Sequence, residues 1–430
     1  MIENAYINIW NKRIGAIHWN SGSGFADFEY DPSFLQQQLD VAPIKMPVGT
    51  ARGKIFSFPE LGGSSTFKGL PGLLADVLPD RYGNALIDAW LARVGRPSGS
   101  MNPVEMLCFT GKRGMGALEF EPVVPKSAEL ATKVEIGSLA EVAQQILSGR
   151  QFFKTDLSHD EQKALSDILK IGTSAGGARA KAVIAYNPET GEVRSGQAHA
   201  PEGFSQWLLK FDGVDDSQFG TTSGYGRIEM AYYLMAVDCG IEMMESRLFE
   251  ENGRAHFMTK RFDRLPGNEK LHVQTFCGLM HYDFNDIFSY SYEQLFQTMR
   301  MLRLTYPEAE QMYRRMVFNV IAQNCDDHTK NFAFLMNKSG EWKLAPAYDV
   351  CHAYRSGSAW VSQHALSING KRQGITRDDL LEVGRQMNVK KAPVIVVQIS
   401  EIVARWPEYA KQTNAEPELR EAIGKTLLVI

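Results

Sequence analysis

Cysteine is scarce in this chain. Its five cysteines, Cys108, Cys239, Cys277, Cys325 and Cys351, are widely spaced and odd in number, with no C-x-x-C pair. That excludes a disulfide framework and the common zinc and redox motifs, and predicts reduced thiols in a cytoplasmic protein. Long apolar runs are also missing, the run near Val394 to Val397 being far below spanning length, so no membrane span is expected. The start, Met1-Ile2-Glu3-Asn4-Ala5-Tyr6, lacks the basic residues and apolar core of a signal peptide, which predicts a protein that stays inside the cell. A basic surplus is absent as well: 46 Lys and Arg against 50 Asp and Glu leave a net charge of -4. The chain as a whole is therefore no electrostatic binder of nucleic acid. Nor is any stretch rich enough in Pro, Gly or Gln to suggest disorder.

What is present is globular. A chain of 430 residues, 44% apolar and 22% charged, predicts two or three packed lobes. Residues 4 to about 60 alternate apolar and polar, as in Asp27-Phe28-Glu29-Tyr30-Asp31, and predict a small antiparallel sheet. Between 69 and 95 the period changes to that of helices. A glycine-rich turn and short strand follow over 111–123, then a helix over 136–148. Strands are expected at 181–186, 205–211, 246–250 and 256–260, with a helix at 228–239 between them. From about 282 onward the pattern is mainly helical. The fold class is α+β, with a strand-rich first half and a helical second half, the layout of a two-lobed phosphotransferase.

The segment richest in chemistry is Asn324-Cys325-Asp326-Asp327-His328-Thr329-Lys330-Asn331, a polar knot between an apolar helix and an apolar strand. Phosphoryl transfer needs a carboxylate to orient and deprotonate the acceptor hydroxyl, and a nearby amide oxygen to help hold magnesium on the phosphates. Protein kinases space these as Asp, four residues, Asn. Asp326 and Asn331 have that spacing and Asp327 does not, so Asp326 is the expected base, with Lys330 over the transferring phosphate. Leu344-Ala345-Pro346-Ala347-Tyr348-Asp349 reads as a short strand ending in a carboxylate, and Asp349 with Asn331 supplies a donor set that magnesium prefers. Tyr348-Asp349-Val350 stands where kinases commonly carry Asp-Phe-Gly. A plainer reading makes each piece a self-capped polar turn; both together, in this order, favour the site.

Four further segments bear on nucleotide binding. Small residues in Thr173-Ser174-Ala175-Gly176-Gly177-Ala178-Arg179-Ala180-Lys181 would let backbone N–H groups approach phosphates, although a tight turn explains them equally and no Walker A pattern is present. Lys210 ends an apolar strand, where a charge needs a partner such as Glu229 on the next helix, or snorkels to water. Lys260-Arg261-Phe262 could offer backbone groups to adenine and Asp263 an acceptor to ribose, or they form only a charged strand exit. Gly111-Lys112-Arg113-Gly114-Met115-Gly116 resembles a phosphate cradle, but reads better as a glycine-rich turn.

In order along the chain, Gly69-Leu70-Pro71-Gly72-Leu73-Leu74-Ala75-Asp76 with Leu78-Pro79-Asp80, Ser174 to Lys181, Leu208 to Phe211, Lys260 to Arg264, Asn324 to Asn331 and Ala347-Tyr348-Asp349 resemble the HipA family, the serine/threonine kinase toxins of bacterial toxin-antitoxin pairs. The resemblance implies a kinase-like fold with a family-specific N-terminal subdomain over 1–123, a strand-rich lobe with glycine-rich loop and hinge over 124–262, and a helical lobe over 263–430. It implies ATP and Mg2+ as cofactors. Asp326 is then the base, Asn331 and Asp349 the magnesium ligands, and Lys210 a contact to the ATP phosphates. Ala175 to Lys181 form the loop over those phosphates, Lys260 to Phe262 lie at the adenine, and His328, Lys330 and Tyr348 line the nucleotide. Ser174 falls where the family phosphorylates its own loop, with Thr173 the competing acceptor; a phosphate there would set nearly two negative charges beside the ATP site. A HipB-like helix-turn-helix antitoxin is the implied partner, DNA being reached only through it, and a translation factor such as an aminoacyl-tRNA synthetase is a possible class of protein substrate. Two other readings stay open: a kinase-like enzyme acting on a small molecule, and an inactive partner-binding component of a repressor complex.

Overall fold

The computed structural model describes residues 1–122, 136–147, 168, 172, 179–196, 200–214 and 223–430. Thr173, Ser174 and Ala175 to Ala178 lie outside them. The chain forms two compact units. One comprises Met1–Ala42, Met46–Gly226 and Arg247–Val273; the other comprises Pro43–Lys45, Arg227–Ser246 and Gln274–Ile430.

The first unit is built on two five-stranded sheets. Strands β1 (Asn4–Ile9), β2 (Lys12–Asn20), β3 (Phe25–Tyr30), β4 (Ile55–Ser57) and β5 (Leu118–Pro122) stand in the order β4-β3-β2-β1-β5, every neighbour antiparallel. The alternation seen in the sequence puts Ala5, Ile7 and Ile9 of β1 in the core. The two-residue link Trp10-Asn11 has positive φ at both positions, the conformation that matches strand twist in a tight hairpin. The bulky Trp10 is held there by its indole N–H, which donates to the Lys270 carbonyl at 2.7 Å.

The second sheet runs β7-β6-β8-β10-β9, with β6 (Lys181–Tyr186), β7 (Val193–Ser195), β8 (Ser205–Lys210), β9 (Ser246–Glu251) and β10 (Arg254–Lys260). Tyr82 and Leu86 of helix Arg81–Arg93, and Leu139 and Ala143 of helix Ile136–Leu147, pack with Ala182, Ile184, Trp207 and Leu209 into one apolar cluster. Helix Pro103–Thr110 has no counterpart in the periodicity reading. It is nucleated by Asn102, whose side chain accepts from the Glu105 N–H at 2.8 Å, followed by Pro103.

The second unit is mainly helical, as the pattern beyond 282 predicts. Its principal helices are Tyr292–Met301, Tyr306–Ile321, Arg377–Gln386 and Ala392–Val403. Two stretches depart from that pattern: a hairpin of Ala333–Met336 with Trp342–Leu344, and residues 345–376, which hold only isolated bridges. The expected strand ending at Asp349 is thus shorter than its sequence suggests. It stops at Leu344 because Pro346 has no N–H to continue a ladder, and Ala347 instead makes a single bridge to Met243. The architecture is α+β, as the sequence implies.

Candidate active site

The polar knot hangs from the end of helix Tyr306–Ile321. At its start, Thr305 and Glu308 form a reciprocal capping box, the Thr305 N–H donating to Glu308 Oε2 at 2.7 Å. At its end, Gln323 turns left-handed, at φ 54°, and the Asn324 N–H reaches back to the Asn319 carbonyl at 2.9 Å. This is the helix-ending turn usually made by glycine. Here Gln323 also donates through Nε2 to the Val320 carbonyl at 3.0 Å, which ties down a residue lacking glycine's latitude.

The two adjacent carboxylates then meet opposite environments. Asp327 is fully enclosed: Oδ2 accepts from Tyr292 Oη–H at 2.8 Å and from His364 Nδ1 at 2.9 Å, and Oδ1 accepts from the Ala365 N–H at 2.7 Å. Burial alone would strip His364 of its proton, but the Asp327 carboxylate beside it raises the imidazole to about 10. Tyr292 continues the network to Asn319, which donates through Nδ2 at 3.0 Å and accepts from Asn324 Nδ2 at 3.0 Å. Asp326 keeps 30% of its side-chain surface. Its Oδ1 accepts from the Trp360 indole N–H at 2.6 Å, and His328 Nε2 lies 3.9 Å away.

Residues Thr329–Asn331 form one turn of 3-10 helix, capped by His328, whose Nδ1 accepts from the Lys330 N–H at 3.3 Å. Lys330 Nζ sits over the Phe284 ring, 4.6 Å from its centre. Asn331 Nδ2 donates to the Asp326 carbonyl at 2.6 Å, so the amide oxygen is the group it can offer to a cation. Tyr348 Oη–H donates to the Lys330 carbonyl at 2.5 Å, fastening the 345–349 segment to this turn. Asp349 itself is left-handed, at φ 55°, a conformation that Asp tolerates better than most residues. A small cleft is lined by Asn319, Asn324, Asp327, Asn331 and Asp349, among others. Among the described residues no three His, Cys, Asp or Glu converge as a metal site. Of the cleft's lining, Asn331 and Asp349 can offer an amide and a carboxylate oxygen, the hard donors that suit magnesium on a phosphate, and Arg315 lines it as well. Asn331 and Asp349 are thus brought together, on the same loop system as Asp326, Lys330, His328 and Tyr348.

The remaining expected site residues lie in the first unit. Lys181 and Lys210 stand directly opposite each other in the β6–β8 register, both buried, and Lys210 Nζ is 5.9 Å from the Phe257 ring centre. Ala180 is buried, and the Arg179 guanidinium covers the Tyr225 ring at 4.8 Å. Glu229 belongs to the second unit. Lys260 pairs with Trp207 across β10 and β8, and the Arg261 N–H donates to the Gln206 carbonyl at 2.9 Å. Asp263 has no exposed surface. Its carboxylate accepts from Arg261 Nε at 2.9 Å, Arg261 Nη2 at 2.7 Å, Arg264 Nη1 at 2.7 Å and the Gly116 N–H at 2.7 Å. Burial opposes its charge, yet the two guanidiniums hold it well below the usual carboxylate range. The same arginines bind the Gly114 carbonyl, so 111–116 is a clamped turn, not a phosphate cradle. Glycine is required there: a Cβ on Gly114 would lie 2.4 Å from Val77 Cγ1, and Gly116 sits at φ 80° with a Cβ position 3.0 Å from the Val273 nitrogen.

Two family models match this chain, the HipA-like C-terminal domain over residues 173–412 and the HipA N-terminal domain over 5–121. The chain belongs to the HipA family. The C-terminal match contains the Asp326–Asn331 loop, Asp349 and Lys210. Among solved structures, the HipA of a Shewanella oneidensis MR-1 toxin-antitoxin system, in complex with HipB and its operator DNA, is 17% identical with a TM-score of 0.65, covering 98% of this chain and 94% of that one. The Helicobacter pylori proinflammatory kinase CtkA is 14% identical with a TM-score of 0.35, covering 59% of this chain and 90% of that one. No curated protein matches. Sequence reasoning passed over Trp360, His364 and Tyr292, which act on the loop from beyond its own segment, and gave no role to Asn319 and Asn324.

Proposed function

We propose that this HipA-family chain is an ATP-dependent serine/threonine protein kinase, the toxin of a toxin-antitoxin pair. The observation that carries the reading is the convergence of Asn331 and Asp349 on one cleft, with the more open of two adjacent aspartates on the same loop. Asp326 receives the proton of the acceptor hydroxyl and orients it, since Asp327 is spent on Tyr292, His364 and Ala365. Asn331 and Asp349 hold magnesium, which when bound offsets phosphate charge and orients the transferring group. Lys330, held over Phe284, has the charge to accompany the phosphoryl group as it moves. His328 supports the turn that presents both.

Lys181, Lys210 and Arg179 of the first unit are the proposed source of positive charge for the ATP phosphates, and Ala175 to Ala178 supply the small residues of the proposed phosphate loop. Backbone groups of Lys260 to Phe262 read the adenine. Asp263 is left out of the nucleotide contacts, because its carboxylate is fully occupied by Arg261, Arg264 and Gly116. Ser174 is the expected autophosphorylation site, with Thr173 as alternative. Because the Shewanella neighbour is complexed with HipB and operator DNA, a helix-turn-helix antitoxin is the proposed partner, and DNA is met through it.

Transfer of radiolabel from ATP to protein tests the reading. Asp326→Gln should lower transfer by roughly 10²- to 10⁴-fold while a magnesium-dependent thermal shift with ATP persists. Asp349→Ala should lose both. Label appearing on small metabolites instead would make the chain a small-molecule kinase, and ATP binding unaffected by either substitution would remove the assigned site.

A further inference from the structure

Trp360 lies 34 residues beyond Asp326, in the irregular stretch that follows Asp349. Its indole N–H donates to Asp326 Oδ1 at 2.6 Å, a charge-assisted bond at the short end of the N–H···O range. The ring is not placed by chance. Ser358 Oγ accepts from the backbone N–H groups of both Trp360 and Val361, each at 3.2 Å, fixing the turn on which the indole is mounted. The indole also packs edge-on to His328 and Phe284, with centroids 6.2 and 6.4 Å away. Those same two residues brace the 3-10 turn and Lys330, so a single aromatic group closes against Asp326 from one side.

We propose that Trp360 is the positioning residue for Asp326. This rests on the reading of Asp326 as the group that receives the acceptor hydroxyl. A carboxylate on a short side chain turns about its last bond with little resistance, and a base whose lone pairs wander loses much of the benefit of proximity. The indole bond sets that rotation, so the acceptor meets a carboxylate already aimed. Phenylalanine could fill the same space against His328 and Phe284 but has no N–H. The segment after Asp349 therefore contributes to the chemistry as well as the segment before it.

Trp360→Phe separates the bond from the packing. With ring packing retained, the melting temperature should stay within a few degrees of wild type. Phosphate transfer should fall on the order of 10- to 100-fold in kcat, with KM for ATP little changed. An independent readout is the indole N–H resonance of Trp360, assigned by its absence from Trp360→Phe: it should shift in Asp326→Ala. A resonance indifferent to Asp326→Ala overturns the contact. Wild-type kcat in Trp360→Phe overturns the positioning role while leaving the kinase reading intact. No phosphate transfer by the wild type to any protein, itself included, overturns both.

Discussion

At the residue scale, two consecutive aspartates are assigned opposite duties by their neighbours. The spacing Asp326-x4-Asn331 singled out the first from sequence, but nothing local predicts the cage around the second, because Tyr292, His364 and Ala365 come from well before and well after it. The His364–Asp327 pair is enclosed, with 3% and 0% of the side-chain surfaces exposed, so it behaves as one unit. Removing one member leaves the other charge buried alone, which is the costly case. His364→Ala should therefore destabilise the second unit by about 3–5 kcal/mol, read as a lowered denaturation midpoint, and the loop bearing Asp326 should loosen with it.

At the scale of elements, the site is a helix end and a following hairpin held at fixed distance. Glu308 does this from the far end of the helix. Its Oε2 caps the first turn through Thr305, and its Oε1 accepts from the Leu344 N–H at 2.8 Å, at the last residue of the hairpin before Asp349. Glu308→Ala should lose both ties, costing about 1–3 kcal/mol in a denaturant titration, with weakened magnesium-dependent ATP binding as the segment bearing Asp349 slackens. Helix Tyr306–Ile321 was legible because its apolar stripe is regular. Its termination at Gln323 was not, since glutamine in a left-handed turn breaks the usual residue preference. The shortened strand before Asp349 was missed because Leu344-Ala345 reads as a continuing apolar run, while Pro346 decides the outcome. The clamped 111–116 turn was read correctly as a turn, but its anchors at Arg261, Asp263 and Arg264 lie about 150 residues away and are joined only by folding.

At the scale of the whole molecule, buried titratable groups define a window of stability. His364 has a folded pKa near 10 against an ordinary value of 6.5. Its contribution is complete below pH 6.5 and disappears as pH rises through 10. His256, His272 and His352 are pulled by burial down to about 4, with the Arg254 charge also lowering His256. They stay neutral in the fold and take up protons on unfolding, so stability falls as pH drops below 6.5 towards 4. Asp263, depressed by its two arginines, adds to the acid side below the usual carboxylate range. Denaturation midpoints measured across pH should describe a dome with its top near pH 6.5–7, and His364→Ala should flatten the alkaline slope.

The thiols are distributed unevenly between the two units. Cys108 is half-buried in the first, whereas Cys239, Cys277, Cys325 and Cys351 are all buried in the second, and Cys325 Sγ is 3.8 Å from His364 Nε2. A bulky electrophile would meet Cys108 in the native fold but must wait for the second unit to breathe before reaching Cys325. The chain thus carries an intrinsic clock beneath the loop that bears Asp326, and the lag between those two alkylations measures how rarely that loop opens.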